Sequence, residues 1–297
     1  MSLKTSVFVM AAAVSVSAAS AQVEPITRYA AEPRAVYASV LDKAGVPVTS
    51  LSATDFVVRE GGIEREVLQV APASEPMRIA ILVDTSQAMR PHIMDVRRAL
   101  HSFSRQMQGD DEISLFEFGD RPVQLVEYTR DRDRLQAGID RLFARAGTGA
   151  YALDAIVDVA RDFKLRETAR PVIVVITSEG PEFSQRFHAQ VLDDVRASRA
   201  TLHSLVLTRR RVSMFNDGVR EREITLSRGA TMTGGRRDDL LTSMALSDRL
   251  TDLARELKTQ YRVVYARPES LVPPDRIEIA VRQPRLLVRA PRVPFNF

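Results

Sequence analysis

No cysteine occurs in the 297 residues, so no disulfide can brace this chain and no lipid can be attached through a terminal thiol. Stability must therefore come from core burial, for which a 45% apolar content is ordinary. Lysine is scarce: Lys4, Lys43, Lys164 and Lys258 are the four lysines among 42 basic residues. That skew towards arginine is as much a matter of composition as of function. The net charge of +4 is small, and it argues against a nucleic-acid partner. Long hydrophobic runs are missing too. The apolar run Val7 to Val16 falls well short of the ~20 residues that span a bilayer, so no membrane-spanning segment is expected. The four histidines (His92, His101, His188 and His203) have no spacing suited to a metal. The motifs of a nucleophile elbow, a zinc protease, a P-loop and an EF-hand are all absent.

What is present begins with a leader. Lys4, the apolar run and Ala19-Ser20-Ala21 form the pattern of a secretory signal peptide cut after Ala21. Export to the periplasm or beyond is the expectation. Its removal leaves 276 residues and lowers the net charge to +3.

The most informative stretch is Arg78 to Ala88. Ile79 to Val83 is short and β-branched, as suits a strand buried on both faces of a parallel sheet. Asp84, Thr85 and Ser86 then fall just past the strand's carboxyl end, where open α/β sheets place their ligand sites. An oxygen cluster there suits a hard cation or a polar ligand.

Residues 22–75 read as short strands (35–41, 56–58 and 66–70) with a turn at Asp42-Lys43-Ala44-Gly45, and Ala71 to Pro76 reads as a linker. From Met77 strands alternate with helices. Ile93, Val96, Leu100, Phe103 and Met107 form one helical stripe; Glu112–Phe118 and Val123–Tyr128 read as a hairpin. Helices are expected over 132–143, 153–163, 183–199 and near 219–228, with strands at 172–176 and 201–207. A last helix carries Leu246, Leu250, Leu253 and Leu257, and residues 260–297 return to strands. The β segments at the two ends are each too short to bury a core. They are expected to form one β-sandwich, with 260–297 pairing with 30–75 and an α/β domain (76–259) inserted between them.

The pieces VLDKAGVPVTSLSATDFVVREGG (40–62), ILVDTSQAM (81–89), GTGAYALDAI (147–156), IVVITSEG (173–180), TGG (233–235) and LARELKTQYRVVY (253–265) together resemble the von Willebrand factor A domain, in its bacterial exported subtype with β flanks. The resemblance implies a Rossmann-like fold and a metal-ion-dependent adhesion site. That site has a first loop Asp-x-Ser-x-Ser, a threonine from a second loop and an aspartate from a third, around magnesium. Asp84 and Ser86 match. Ala88 replaces the second serine, Ala150 falls at the threonine position with Thr148 two residues early, and Ser178 replaces the aspartate beside Glu179. The expectation is a degenerate site with no resident cofactor. A site shifted onto Thr148, Ser178 and Glu179 and holding Mg2+ or another divalent cation is the alternative, since magnesium tolerates displaced ligands poorly.

Other signals have bland readings. Gly147-Thr148-Gly149-Ala150-Tyr151-Ala152 fits a loose dinucleotide pattern but follows a helical segment, so chance explains it. Ser86 has no predictable base beside it, which argues against catalysis. The segment Thr208 to Arg237, with Arg209-Arg210-Arg211, Met214 and Phe215, reads as a solvated loop or as a binding edge. The sequence thus describes an exported, non-enzymatic protein-binding module acting through the loops around Asp84, Thr148 and Ser178. A structural subunit of an envelope complex is the second reading.

Overall fold

The computed structural model describes residues 31–107, 109–208, 217–268, 274 and 276–293. The expected leader and Arg209–Phe215 lie outside the described residues. The chain runs β1 (Ala31–Leu41), β2 (Phe56–Glu60), β3 (Ile63–Arg65), β4 (Val67–Pro72), β5 (Arg78–Val83), α1 (Ile93–Gln106), β6 (Glu112–Glu117) and β7 (Val123–Thr129). It continues through α2 (Arg132–Ile139), α3 (Ala152–Leu165), β8 (Pro171–Ser178), α4 (His188–Ser198), β9 (Thr201–Leu207), α5 (Asp217–Thr233) and β10 (Arg237–Leu240). It ends with α6 (Leu246–Lys258), β11 (Tyr261–Pro268), β12 (Ile277–Val281) and β13 (Leu287–Arg289).

The period-2 geometry of β5 sends alternate side chains into two cores. Ile79, Ile81 and Val83 pack with residues of α1, α2 and α6, among them Val96, Leu100, Leu135, Leu250 and Leu253. Ala80 and Leu82 face Leu153, Ile156, Phe163 and Val191 of α3 and α4. A strand apolar on both faces must be central, and β5 lies between β8 and β6 in the sheet order β10-β9-β8-β5-β6-β7. All neighbours are parallel except β7, which returns antiparallel to β6 as the expected hairpin. The fold is thus the expected α/β class: a mostly parallel sheet with helices on both faces.

The terminal segments form two antiparallel sheets, ordered β13-β1-β11-β4 and β12-β2-β3. They share a third core that includes Val36, Val40, Phe56, Val58, Tyr261 and Val263. Chain ends more than 200 residues apart meet there, with Val36 opposite Val263. Between the sandwich and the α/β sheet, Glu256 of α6 is buried and ion-paired with Arg289 of β13 at 2.5 Å.

Two helices differ from the sequence expectation. The helix expected over 183–199 begins at His188, because 181–183 is held extended against the α2–α3 loop (Ala150 N to Pro181 O and Phe183 N to Ala150 O, both 2.8 Å). The helix expected over 132–143 stops at Ile139, and the chain then rises to donate Arg145 N to Thr85 O at 2.8 Å.

His203 on β9 is fully buried, and its Nδ1 accepts from Arg236 N at 3.2 Å. Burial, then the charges of Arg236 and Arg289, push its pKa down to about 3. The unfolded chain therefore takes up a proton near pH 6.5 that the folded chain refuses, and stability falls as pH drops from there towards 3. The expected slope is about 1.4 kcal/mol per pH unit for this group. His203→Gln keeps an acceptor, and denaturant melts between pH 7 and pH 4 are expected to show a shallower acid loss. An unchanged slope would remove His203 from the account.

Candidate functional site

Three loops converge past the carboxyl ends of β5 and β8. The first, from Asp84 to His92, is pinned by its own aspartate: Asp84 Oδ1 accepts from Ser86 N and Oδ2 from Thr177 Oγ1, both at 2.8 Å. Asp84 N donates to Ile176 O at 2.9 Å, so the residue is tied through backbone and carboxylate to the neighbouring strand β8 and is fully buried. The second loop, 140–151, is laid across the first by Arg145 N to Thr85 O (2.8 Å), Gln87 N to Thr148 O (3.3 Å) and Gly147 N to Gln87 Oε1 (2.8 Å). The third, 179–187, pairs with the second through Ala150 and Glu182.

Close packing fixes this arrangement. A Cβ on Gly119 would stand 2.3 Å from Thr85 C and 2.5 Å from Thr85 O, so only glycine lets the loop after β6 pass beneath Thr85. Below the third loop, Glu182 and Arg222 of α5 form an ion pair at 3.5 Å, both side chains fully buried. Arg222 Nη2 also donates to Gly180 O at 3.0 Å, and Glu182 accepts from Ser184 N and Ala152 N. Burial raises the Glu182 pKa, and Arg222 works against that rise.

The oxygens the sequence singled out are only partly brought together. The hydroxyls of Thr85, Ser86 and Ser178 are buried with no hydrogen-bond partner. Those of Ser86 and Ser178 lie equally near Gly180, each 3.8 Å from where its Cβ would stand. The methyl of Ala88 occupies the same spot, 2.6 Å from that point. Thr148 turns away: its Oγ1 donates to Arg145 O at 3.0 Å. Ala150 is fully buried in the loop pairing. Glu179 is half-buried and its backbone N donates to Leu207 O at 3.2 Å. Among the described residues no three His, Cys, Asp or Glu gather as a metal-holding group.

Around the converging loops lies an apolar rim that the sequence did not signal. Met94, Phe143, Phe183, Phe187, Leu241 and Met244 are exposed, Phe183 at 47% and Phe187 at 67%. Each sits at the start of a helix or in a loop at the carboxyl end of the parallel strands. Phe183 meets Tyr151 edge-on at 6.0 Å, and the Phe143 ring lies 5.5 Å from the Arg145 guanidinium. Among the described residues of the α/β part, Leu165 is the exposed large apolar residue at the opposite end. Single exposed apolar residues are commonplace, but these six gather at one end of the sheet.

An open α/β sheet whose polar cluster sits at the carboxyl end of its central strand defines a Rossmann-like binding fold. Residues 79–181 match the family profile of the von Willebrand factor type A domain, so the chain carries such a domain in its central part. Among solved structures it is similar to a von Willebrand factor type A protein from Catenulispora acidiphila: 11% identity, covering 83% of this chain and 74% of that one, TM-score 0.52. It is also similar to proximal thread matrix protein 1 of the mussel byssus: 12% identity, 67% and 50% coverage, TM-score 0.52. A third is an aerotolerance-related membrane protein of Bacteroides fragilis: 17% identity, 60% and 98% coverage, TM-score 0.45. At these identities the likeness concerns the fold alone. No curated protein sequence matches the chain.

Proposed function

We propose that this protein is an exported, non-enzymatic interaction module that binds a protein partner at the carboxyl end of its sheet without a resident divalent ion. The observation that carries the reading is the apolar rim of Met94, Phe143, Phe183, Phe187, Leu241 and Met244 around the polar cluster. Exposed aromatic and methionine side chains at one face are the kind of anchors that interfaces use.

The donor set supports independence from metal. Magnesium asks for near-octahedral oxygen at short distance. Here Asp84 already serves Ser86 N and Thr177 Oγ1, and Thr148 spends its hydroxyl on Arg145 O. Positions 88 and 150 carry methyl groups. What remains is one engaged carboxylate with the hydroxyls of Thr85, Ser86 and Ser178, which does not fit a magnesium shell. Absence of catalysis is supported by Ser86, whose Oγ has no hydrogen-bonded base among the described residues. Export rests on the leader over residues 1–21.

A photoreactive phenylalanine placed at position 183 or 187 tests this in the native cell envelope. The same covalent adduct is expected in EDTA and in magnesium. Adducts formed from Leu68 of the sandwich but never from the rim would instead favour a structural subunit. An adduct requiring magnesium would return the site to metal-dependent adhesion.

A further inference from the structure

Away from the three loops, the two faces of the β6–β7 hairpin are treated differently. On one face α2 covers it, with Leu135 and Ile139 packed among Ile113, Leu115 and Val126. On the α3 side, Phe116 and Tyr128 border a pocket of about 410 Å³ between the hairpin and α3. That volume lies in the lower range of small-molecule sites, about 300–1,000 Å³.

The pocket's charges are unevenly matched. Asp162 is held by Arg166 at 2.6 Å and Glu127 by Arg134 at 3.2 Å. Asp158 is exposed and has no ion pair within 4 Å among the described residues; its helical neighbour Asp154 takes Arg186 at 2.7 Å. Burial and the charge of Asp154 raise the Asp158 pKa, with Arg186 and Arg161 working against that rise. On the opposite wall the Arg78 guanidinium stacks 4.0 Å above the Tyr128 ring. Its ion pair with Glu112 is stretched to 3.8 Å and its Nε is buried without an acceptor. Between the two walls, the Tyr128 hydroxyl is buried and has no hydrogen-bond partner. An exposed carboxylate outside any ion pair within 4 Å among the described residues, a guanidinium in a stretched pair with Glu112 and a phenol with no hydrogen-bond partner thus border one floor of Phe116, Val159 and the Tyr128 ring.

We propose that this pocket binds a small zwitterion with an apolar body, a free apolar α-amino acid or its dipeptide, with the ammonium towards Asp158 and the carboxylate towards Arg78. Tyr128 Oη is placed to hydrogen-bond the bound molecule, and Phe116 and Val159 take its side chain. The chemistry follows from the residual charges: a pure anion meets three carboxylates, a pure cation meets two guanidiniums, and an apolar ligand leaves all three polar groups unmet.

Calorimetric titration of the full chain with L-leucine and Leu-Leu tests the site, beside N-acetyl-leucine, leucinamide and glucose. Saturable binding of the zwitterions is expected, weakened about tenfold or more when either ligand charge is blocked, as loss of a charge-assisted hydrogen bond implies. Asp158→Asn and Tyr128→Phe are expected to weaken leucine binding without lowering Tm, because neither removes a folded-state hydrogen bond. Absence of saturable binding at millimolar zwitterion would overturn the proposal. So would equal binding of N-acetyl-leucine, a preference for glucose, or indifference to both substitutions.

Discussion

Arg222→Met is expected to destabilise the protein by about 3–5 kcal/mol, the usual result of removing one partner from a buried ion pair. Arg222 and Glu182 are both fully buried. With the guanidinium gone, the Glu182 carboxylate keeps the neutral donors of Ser184 and Ala152 alone among the described residues. Its pKa, already raised by burial, then loses the chief opposing charge. A carboxyl whose folded pKa is raised holds its proton in the folded state, so stability falls as pH rises from the unfolded value through the folded one. The Arg222→Met penalty is therefore expected to be larger at pH 7 than at pH 4. Adding Glu182→Gln is expected to recover part of the loss at pH 7, since a neutral amide is cheaper to bury. Denaturant melts of the two variants at both pH values check this, and a pH-independent penalty would show that Glu182 is not left charged. Because Arg222 also holds Gly180 O, the third loop is expected to lose protection from hydrogen exchange first.

Gly119→Ala is the second large effect, expected to cost on the order of 3 kcal/mol through overpacking against backbone. The added methyl would meet Thr85 C, Thr85 O and Ser86 N within 2.6 Å, and no rotamer change can move these atoms. Relief requires shifting the Asp84 loop itself, so Ser86 N and Asp84 Oδ1 separate together with the contact from Arg145 N. Gly149→Ala is the matched control. Its added methyl would meet the Phe183 ring at 2.6 Å, but that side chain is half exposed and can swing away. Gly119→Ala should lower Tm much more than Gly149→Ala. It should also expose 84–92 to proteolysis. Equal shifts would mean that the crossing beneath Thr85 tolerates movement.

The parts of the fold carried by short-range pattern were legible. Ile79–Val83 is apolar without alternation, which makes a central strand, and its exit into Asp84-Thr85-Ser86 marks the ligand end of the sheet. The stripe from Ile93 to Met107 and the hairpin after Glu112 follow from their periods. One helix start was misplaced where tertiary pairing overrides local preference: a helix was expected from Phe183, but Phe183 N donates to Ala150 O and α4 begins only at His188. The candidate site was legible only as a set of departures, at Ala88, Ala150 and Ser178. Their consequence depends on contacts that spacing does not encode, such as Thr148 spending its hydroxyl on Arg145 O. Arg222 and Glu182 lie 40 positions apart in charge-rich surroundings, and nothing in those surroundings distinguishes a buried arginine from a solvated one. The apolar rim is likewise invisible to periodicity, because its members come from four separate loops and helix starts. Only the sheet topology places them at one end.

Direct titration of the purified chain with manganese, magnesium and calcium, followed by calorimetry and by manganese paramagnetic resonance, reaches the centre of this account. No saturable binding is expected at the loops around Asp84, and Ser86→Ala should leave the titration unchanged. Micromolar manganese binding that disappears in Ser86→Ala would contradict it.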